Sequence, residues 1–348
     1  MADSRVGSGP STLIPSVELD RSNRAELETE AARARTAGDE RRLSELRAIT
    51  DAIIGDDVFV LEFDARDKQA HVVIALGDPD TADRIAVTVP GMGSTTERSV
   101  GGMVNEAGLL RNEAHRQLAL IDGDDAPKVA AIAWIGYQTP GNPFLGFDRR
   151  DPHSWMPFVR SGLQVMSRHR ARRGAPRLAA FLTRIKRRTP DTQLVLLGHS
   201  YGSLCSSYAL QRLRGRPALD GRPIVDRAAF YGSPGLAIRD VEQLGLAPGS
   251  VYYLSAPNDP VSNRIANWAP WRGWGARPSK VGMTRLSTEA GVDRTGVQRV
   301  RVEGHADYGR SEDNGAKRNV VRMSGYNIAA VVAGIEANEI LIGPRSYR

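Results

Sequence analysis

The stretch LLGHSYGSL, residues 196–204, places a serine between two glycines in the pattern Gly198-x-Ser200-x-Gly202. This spacing is typical of a tight turn from a strand into a helix, which exposes a nucleophilic hydroxyl. The pattern is short, so its context decides its meaning. The preceding QLVLLG predicts a buried strand, and the following SLCSSYALQRL predicts a helix. We therefore predict that Ser200 is a catalytic nucleophile.

A general base for this serine should follow it in the chain. A serine hydroxyl is a weak nucleophile and needs a base that a carboxylate orients. With a turn of this type the chain order is serine, acid, histidine. Only one of the six histidines, His305 in VEGHADYG, lies far enough downstream to follow an acid. We predict that His305 is the base and that His199, inside the turn, points its side chain away.

The acid is expected after the sixth or the seventh predicted strand. The turn YGSPG after the sixth strand contains no carboxylate, whereas SAPNDPVS after the seventh contains Asp259. Asn-Asp-Pro is also a good turn former, so Asp259 has a purely structural alternative. We predict that Asp259 is the acid and keep Asp307, two residues after His305, in reserve.

An acyl-transfer site also needs hydrogen-bond donors for a developing oxyanion. One donor is expected to be the backbone N–H of Tyr201, the residue after the nucleophile. The other is expected from PGMGSTT, residues 90–96, with the N–H of Met92 as the candidate. In this loop Gly91 and Gly93 allow a ligand to approach the backbone closely. A phosphate-binding loop is excluded because no Lys-Ser/Thr pair follows at the required spacing.

Aromatic residues supply candidates for a substrate pocket. Trp268 and Trp271 precede the His305 loop and could form an apolar wall, although packing beneath a long loop is an equal alternative. Tyr137, at the end of the fourth predicted strand, is a further pocket candidate. The range 138–190 is interpreted as a possible lid segment followed by a helix.

The positions above are embedded in a pattern of short apolar runs, the later ones separated by helical segments. This alternation predicts an α/β domain whose mostly parallel sheet is covered on both faces and begins with an antiparallel hairpin. The eight runs predicted as strands are 58–64, 71–80, 84–91, 129–136, 192–198, 227–232, 250–257 and 298–304.

Length and composition indicate one large domain with an extension. The chain has 348 residues, 41% of them hydrophobic, enough for a sizeable core. We predict a flexible and helical N-terminal segment at 1–54 and a catalytic domain at 55–348. The single cysteine, Cys205, excludes an internal disulfide and a cysteine-based metal cluster. No metal or cofactor is expected.

Charge and hydropathy limit the kinds of partner and location that the sequence favours. The net charge is +7, with many arginines in 160–188, but no nucleic-acid recognition motif accompanies them. A solvated helix face is therefore preferred to a nucleic-acid site. Neither a signal peptide nor a membrane-spanning run is visible, so a cytoplasmic location is expected. The oligomeric state stays open.

Taken together, these motifs resemble the α/β-hydrolase superfamily, and more narrowly an actinobacterial α/β-hydrolase family known as a domain of unknown function. The matching stretches include TVPGMGS, LLGHSYGS, FYGSPG, APNDPV and GHADYG, and the resemblance covers most of 58–325. It implies an α/β-hydrolase fold with Ser200, Asp259 and His305 as a triad, but no particular substrate. The usual His-Gly pair before the oxyanion loop is Pro90-Gly91 here.

The leading hypothesis is a serine hydrolase that acts on an ester-type bond of a small acyl substrate. An amidase or acyltransferase could use the same triad. A non-catalytic interaction protein that keeps the fold is an alternative of a different class.

Overall fold

The structure, a computed structural model, describes residues 13–141, 167–216, 221–263, 265–268, 274–312 and 320–335. Within these residues the helices are α1 (Ser16–Ala37), α2 (Glu40–Ala52), α3 (Thr96–Asp122), α4 (His169–Arg188), α5 (Gly202–Leu213), α6 (Pro260–Asn263) and α7 (Met323–Ala333). The strands are β1 (Val58–Asp64), β2 (His71–Leu76), β3 (Arg84–Val89), β4 (Val129–Ile135), β5 (Gln193–His199), β6 (Arg227–Tyr231), β7 (Val251–Leu254), β8 (Thr284–Arg285), β9 (Gly291–Val292) and β10 (Gln298–Arg299).

Eight of these strands form one sheet in the order β1-β2-β4-β3-β5-β6-β7-β8. The pairs β1–β2 and β2–β4 are antiparallel, and every later pair is parallel. The predicted α/β class, with its antiparallel start and eight-stranded mostly parallel sheet, is confirmed. Because the carboxyl ends of the parallel strands share one edge, the loops after β3, β5, β7 and β8 meet there.

The predicted eighth strand at 298–304 is wrong. The eighth strand of the sheet is β8, and β10 instead pairs with β9 in a separate two-stranded ribbon. The reason is Arg299, whose buried guanidinium binds Asp293 and Glu113 at 2.8 and 2.9 Å. These ion pairs hold the ribbon against α3, so the segment does not extend the eight-stranded sheet although its alternation of valine and arginine resembles a sheet strand.

Helices cover both faces of the sheet. Strand β2 shows the alternation, since Val73 packs with α4 and α5 on one face while Val72 packs with α2 and α3 on the other. Further along the sheet, α7 joins α3 on that second face. In the described part of the chain, no helix is long and apolar enough to cross a membrane.

The N-terminal helices pack on the first strands. Leu43, Leu46 and Ile49 of α2 are buried against Val60 of β1 and Ile74 of β2. The helical part of the predicted extension is therefore present, while residues 1–12 lie outside the described residues. The division of the chain at residue 54 stays a prediction.

Candidate active site

Ser200 lies in a sharp turn between β5 and α5. Its φ is +53°, and among the described residues it is the one non-glycine residue with a positive φ. Such a conformation is strained for a residue with a Cβ and persists only where its surroundings hold it. Here a Cβ on Gly202 would lie 2.3 Å from the carbonyl oxygen of Val89, so only glycine allows the helix to begin this close to β3.

Three polar side chains from separate loops form one hydrogen-bonded line at this turn. His305 Nε2 lies 2.7 Å from Ser200 Oγ, and His305 Nδ1 lies 2.9 Å from Asp259 Oδ1. An ionised carboxylate only accepts, so Nδ1 carries the proton, and Nε2 is left to accept from the serine hydroxyl. The fold thus brings together the three residues that the sequence singled out.

Asp259 is fully buried, and its carboxylate is nevertheless well supplied with donors. Oδ1 accepts from the backbone N–H of Val261 at 2.8 Å as well as from His305, and Oδ2 accepts from the phenol of Tyr308 at 2.9 Å. Burial by itself raises the pKa of Asp259, but the hydrogen bonds and the proximity of His305 outweigh it, so that pKa lies below its ordinary value. The carboxylate is therefore ionised at neutral pH.

Tyr308 is a residue at this site that the sequence analysis missed. Its buried phenol donates to Asp259 and accepts from the backbone N–H of Ala256 at 2.9 Å, which ties the acid to the end of β7. The available signal was its position three residues after His305 in a turn bounded by Gly304 and Gly309. That spacing lets one loop carry both a base and a support for the acid.

His199 does not point away from the site, contrary to the expectation. Its Nε2 lies 2.9 Å from the backbone carbonyl oxygen of His305, and its ring centroid lies 5.1 Å from those of both His305 and Tyr231. Burial, followed by the proximity of His305, lowers the pKa of His199 to about 3. A neutral His199 therefore donates Nε2–H to the loop that carries His305 and holds that loop in place.

The loop after β3 lies directly against the serine. A Cβ on Gly91 would lie 2.6 Å from Ser200 Cβ, so a side chain there would displace the nucleophile. Gly93 adopts a φ of +73° and donates its N–H to Pro140 O at 2.7 Å. In the part of the chain that the structure describes, the N–H groups of Tyr201 and Met92 have no acceptor. Both are thus available to a ligand.

The remaining candidates are distributed as follows. Asp307 accepts from the N–H of Gly304 at 2.9 Å and so closes its own turn, while Asp259 contacts the imidazole. Tyr137 is buried and donates to Pro90 O at 2.7 Å. Trp268 ends a 3₁₀ turn at Ile265–Trp268, but its side chain, all of Trp271 and residues 142–166 of the possible lid lie outside the described residues.

Other nucleophiles and metal ligands are not assembled here. Burial raises the pKa of the Cys205 thiol far above its ordinary value, so it stays protonated. Across the described ranges, no group of three or more His, Cys, Asp or Glu side chains could hold a metal ion.

Known proteins resemble this chain in sequence and in structure. A family model described as alpha/beta hydrolase matches residues 64–270. Uncharacterised proteins of Mycobacterium bovis and Mycobacterium tuberculosis are 32% identical over 258 residues, which cover 72% of this chain and 85% of each relative. Among solved structures, an esterase from Pyrobaculum calidifontis is 11% identical with a TM-score of 0.42, covering 90% of this chain and 97% of its own. Acyl-protein thioesterase 2 of Zea mays is 12% identical with a TM-score of 0.33, covering 67% of this chain and 90% of its own.

Proposed function

The chain belongs to the alpha/beta hydrolase family, and from that premise we propose that it is a serine hydrolase that cleaves an ester-type bond of a small acyl substrate. The observation that carries the proposal is the hydrogen-bonded line from Asp259 through His305 to Ser200, which ends on a strained turn. A structural serine in a glycine turn needs neither the imidazole nor the buried carboxylate behind it.

In the first half of the reaction, Ser200 Oγ attacks the carbonyl carbon of the ester while its proton passes to His305 Nε2. Asp259 holds the imidazole in the required tautomer and stabilises the imidazolium that forms. The carbonyl oxygen becomes an oxyanion, which accepts from the N–H groups of Tyr201 and Met92. Each such donor lowers the barrier by about 3 kcal/mol.

The tetrahedral intermediate then breaks its bond to the leaving oxygen, which takes the proton from His305 Nε2 and departs as an alcohol. An acyl group remains on Ser200 Oγ. A water molecule attacks this acyl group, gives a proton to His305 Nε2 and forms a second oxyanion in the same place. Release of the carboxylic acid returns the proton to Ser200.

The first experiment is labelling of the full chain with a fluorophosphonate probe, which phosphonylates an activated serine. The wild-type protein should be labelled and Ser200→Ala should not. Ser206→Ala is the matched control, because its buried hydroxyl on α5 has no hydrogen-bond partner in the described part of the chain. That variant should label like the wild type.

A panel of p-nitrophenyl esters, with the corresponding anilides beside them, then tests the bond type. Turnover of the esters that disappears in Ser200→Ala supports an esterase, and turnover of anilides at a comparable rate favours the amidase alternative. If folded wild-type protein resists the probe and turns over none of these compounds, the proposal is wrong and the non-catalytic alternative is favoured.

A further inference from the structure

A basic cavity lies beside the candidate active site, at the edge where the parallel strands end. Its volume is about 440 Å³, and its walls come from the start of β2, the residues after β4 and the first turns of α4. The side chains that matter here are those of Asp67, His71, Tyr137, Arg170, Arg173 and Arg177.

This cavity adjoins the nucleophile through the loop after β3. The phenol of Tyr137, in the cavity wall, donates to the carbonyl oxygen of Pro90. The next residue, Gly91, lies against Ser200. A group bound in the cavity would therefore lie next to the loop that carries the proposed oxyanion donor. One substrate molecule could thus place this group in the cavity and its scissile bond at Ser200.

The arginines of α4 are unevenly matched by acids. Toward the end of the helix, Arg184 pairs with Glu62 and Arg188 pairs with Asp80. Near its middle, Arg177 lies 3.5 Å from Asp67 and 3.8 Å from Asp64.

The arginines at the start of α4 are not paired with carboxylates in this way. Arg170 donates to the backbone carbonyl oxygens of Gln138 and Thr139, which holds its guanidinium in place without neutralising it. Within the described ranges, Arg173 has no hydrogen-bond or ion-pair partner. Uncompensated positive charge is thus concentrated at the end of α4 that faces the candidate active site.

His71 lies in the same wall. It is 6% exposed, and its Nδ1 lies 2.5 Å from Arg177 Nη1. A guanidinium only donates, so Nδ1 accepts and the proton is on Nε2, which has no partner among the described residues. A buried donor without an acceptor is unfavourable, and the His71 ring contributes to the cavity wall through its contact with Arg177 and not through this enclosed donor.

We propose that the cavity binds an anionic oxygen group, a carboxylate or a phosphate, carried by the substrate at a distance from the scissile carbonyl. Guanidinium groups bind both anions through charge-assisted hydrogen bonds, and Arg170 is already oriented. The inference rests on the proposed hydrolase function, and it names the substrate class as acyl esters with a negatively charged end.

Binding is tested first in Ser200→Ala protein, which cannot turn over an ester by the proposed route. Adipate and inorganic phosphate are titrated separately by calorimetry at about 0.15 M salt. Adding the Arg173→Gln substitution should lower the affinity for the anion that binds by about tenfold, which is the effect of losing one charge-assisted hydrogen bond. Arg172→Gln, on an exposed neighbouring position that does not line the cavity, is the matched control and should leave the affinity unchanged.

The kinetic arm compares 4-nitrophenyl hydrogen adipate with uncharged 4-nitrophenyl hexanoate. The ratio of their kcat/KM values should favour the adipate ester in the wild type and fall by about tenfold in Arg173→Gln, but not in Arg172→Gln. Binding of adipate alone assigns the cavity to carboxylates, and binding of phosphate alone assigns it to phosphates.

The two proposals fail in distinguishable ways. If esters are hydrolysed but neither anion binds, or if both arginine variants weaken binding equally, the cavity inference is wrong and the hydrolase stands. If an anion binds in an Arg173-dependent way but no ester is cleaved, the cavity is an anion site and the hydrolase proposal fails.

Discussion

Replacing Tyr308 with phenylalanine removes one oxygen atom from the support of Asp259. In the wild type this phenol donates to Asp259 Oδ2 and accepts from Ala256 N–H, and both groups are buried. The variant leaves one buried acceptor and one buried donor without partners. Each unsatisfied buried group costs roughly 1–3 kcal/mol, so Tyr308→Phe should lower the free energy of unfolding by about 3 kcal/mol at pH 7.

The loss should depend on pH in a defined direction. Because the pKa of Asp259 lies below its ordinary value of 3.8, its ionisation contributes stability that is present above about pH 4 and is lost as pH falls through the pKa of the folded state. Removing a donor raises that pKa, so the variant lacks part of this contribution. The difference in the free energy of unfolding between wild type and variant should therefore become smaller below pH 3.8.

Urea denaturation at pH 7 and at pH 3 measures both effects, and the pH profile of kcat/KM gives a further test. A carboxylate without its phenol donor positions the imidazole of His305 less firmly, so kcat/KM should fall across the profile. Tyr208→Phe is the control, since no hydrogen bond of its hydroxyl is found among the described residues. Equal stability losses in both variants, with kcat/KM unchanged, would refute a positioning role for Tyr308.

Two further substitutions, one of them with a control, probe the turn at Ser200 and its neighbours. Gly91→Ala puts a Cβ 2.6 Å from Ser200 Cβ, so kcat should fall by about 100-fold because the nucleophile is misplaced. Gly101→Ala on α3 is the control, because a Cβ there meets open space. This control should keep full activity and gain up to about 1 kcal/mol of stability. A pKa of about 3 for folded His199, against 6.5 when unfolded, means that stability falls by up to about 1.4 kcal/mol per pH unit as pH drops below 6.5. His199→Gln should make this decline shallower in urea titrations at pH 7, 6 and 5, and an unchanged slope would contradict a buried neutral His199.

Some parts of the fold are encoded in local sequence patterns and others are not. The buried strand β5 and the helix α5 were recognisable because their apolar periods are strong and the glycines between them mark the turn. The strand at 298–304 was predicted incorrectly because alternation does not reveal where a strand pairs. Arg299 is satisfied by Glu113, 186 residues away in the chain, and no local pattern contains that partner.

At the candidate site, too, local patterns do not contain the long-range contacts. The chain order of Ser200, Asp259 and His305, with the residue types themselves, was enough to nominate them, because serine, carboxylate and imidazole have few other joint uses in that order. The sequence does not reveal the support that Tyr308 gives to Asp259, and it predicts the wrong direction for the side chain of His199. Both depend on contacts, one to a carboxylate and one to a carbonyl, that arise only when the loops meet.

What the amino-acid order determined by itself was local: which segments are buried strands, which are helices, and where a turn too tight for side chains must hold a serine. Such properties depend on neighbours a few positions apart. The tertiary structure decided which loops converge, which carboxylate of two faces His305, and which arginines of α4 lack an acid. Those outcomes depend on distances between segments far apart in the chain, and they are fixed only when the sheet order brings the carboxyl ends of its strands to one edge.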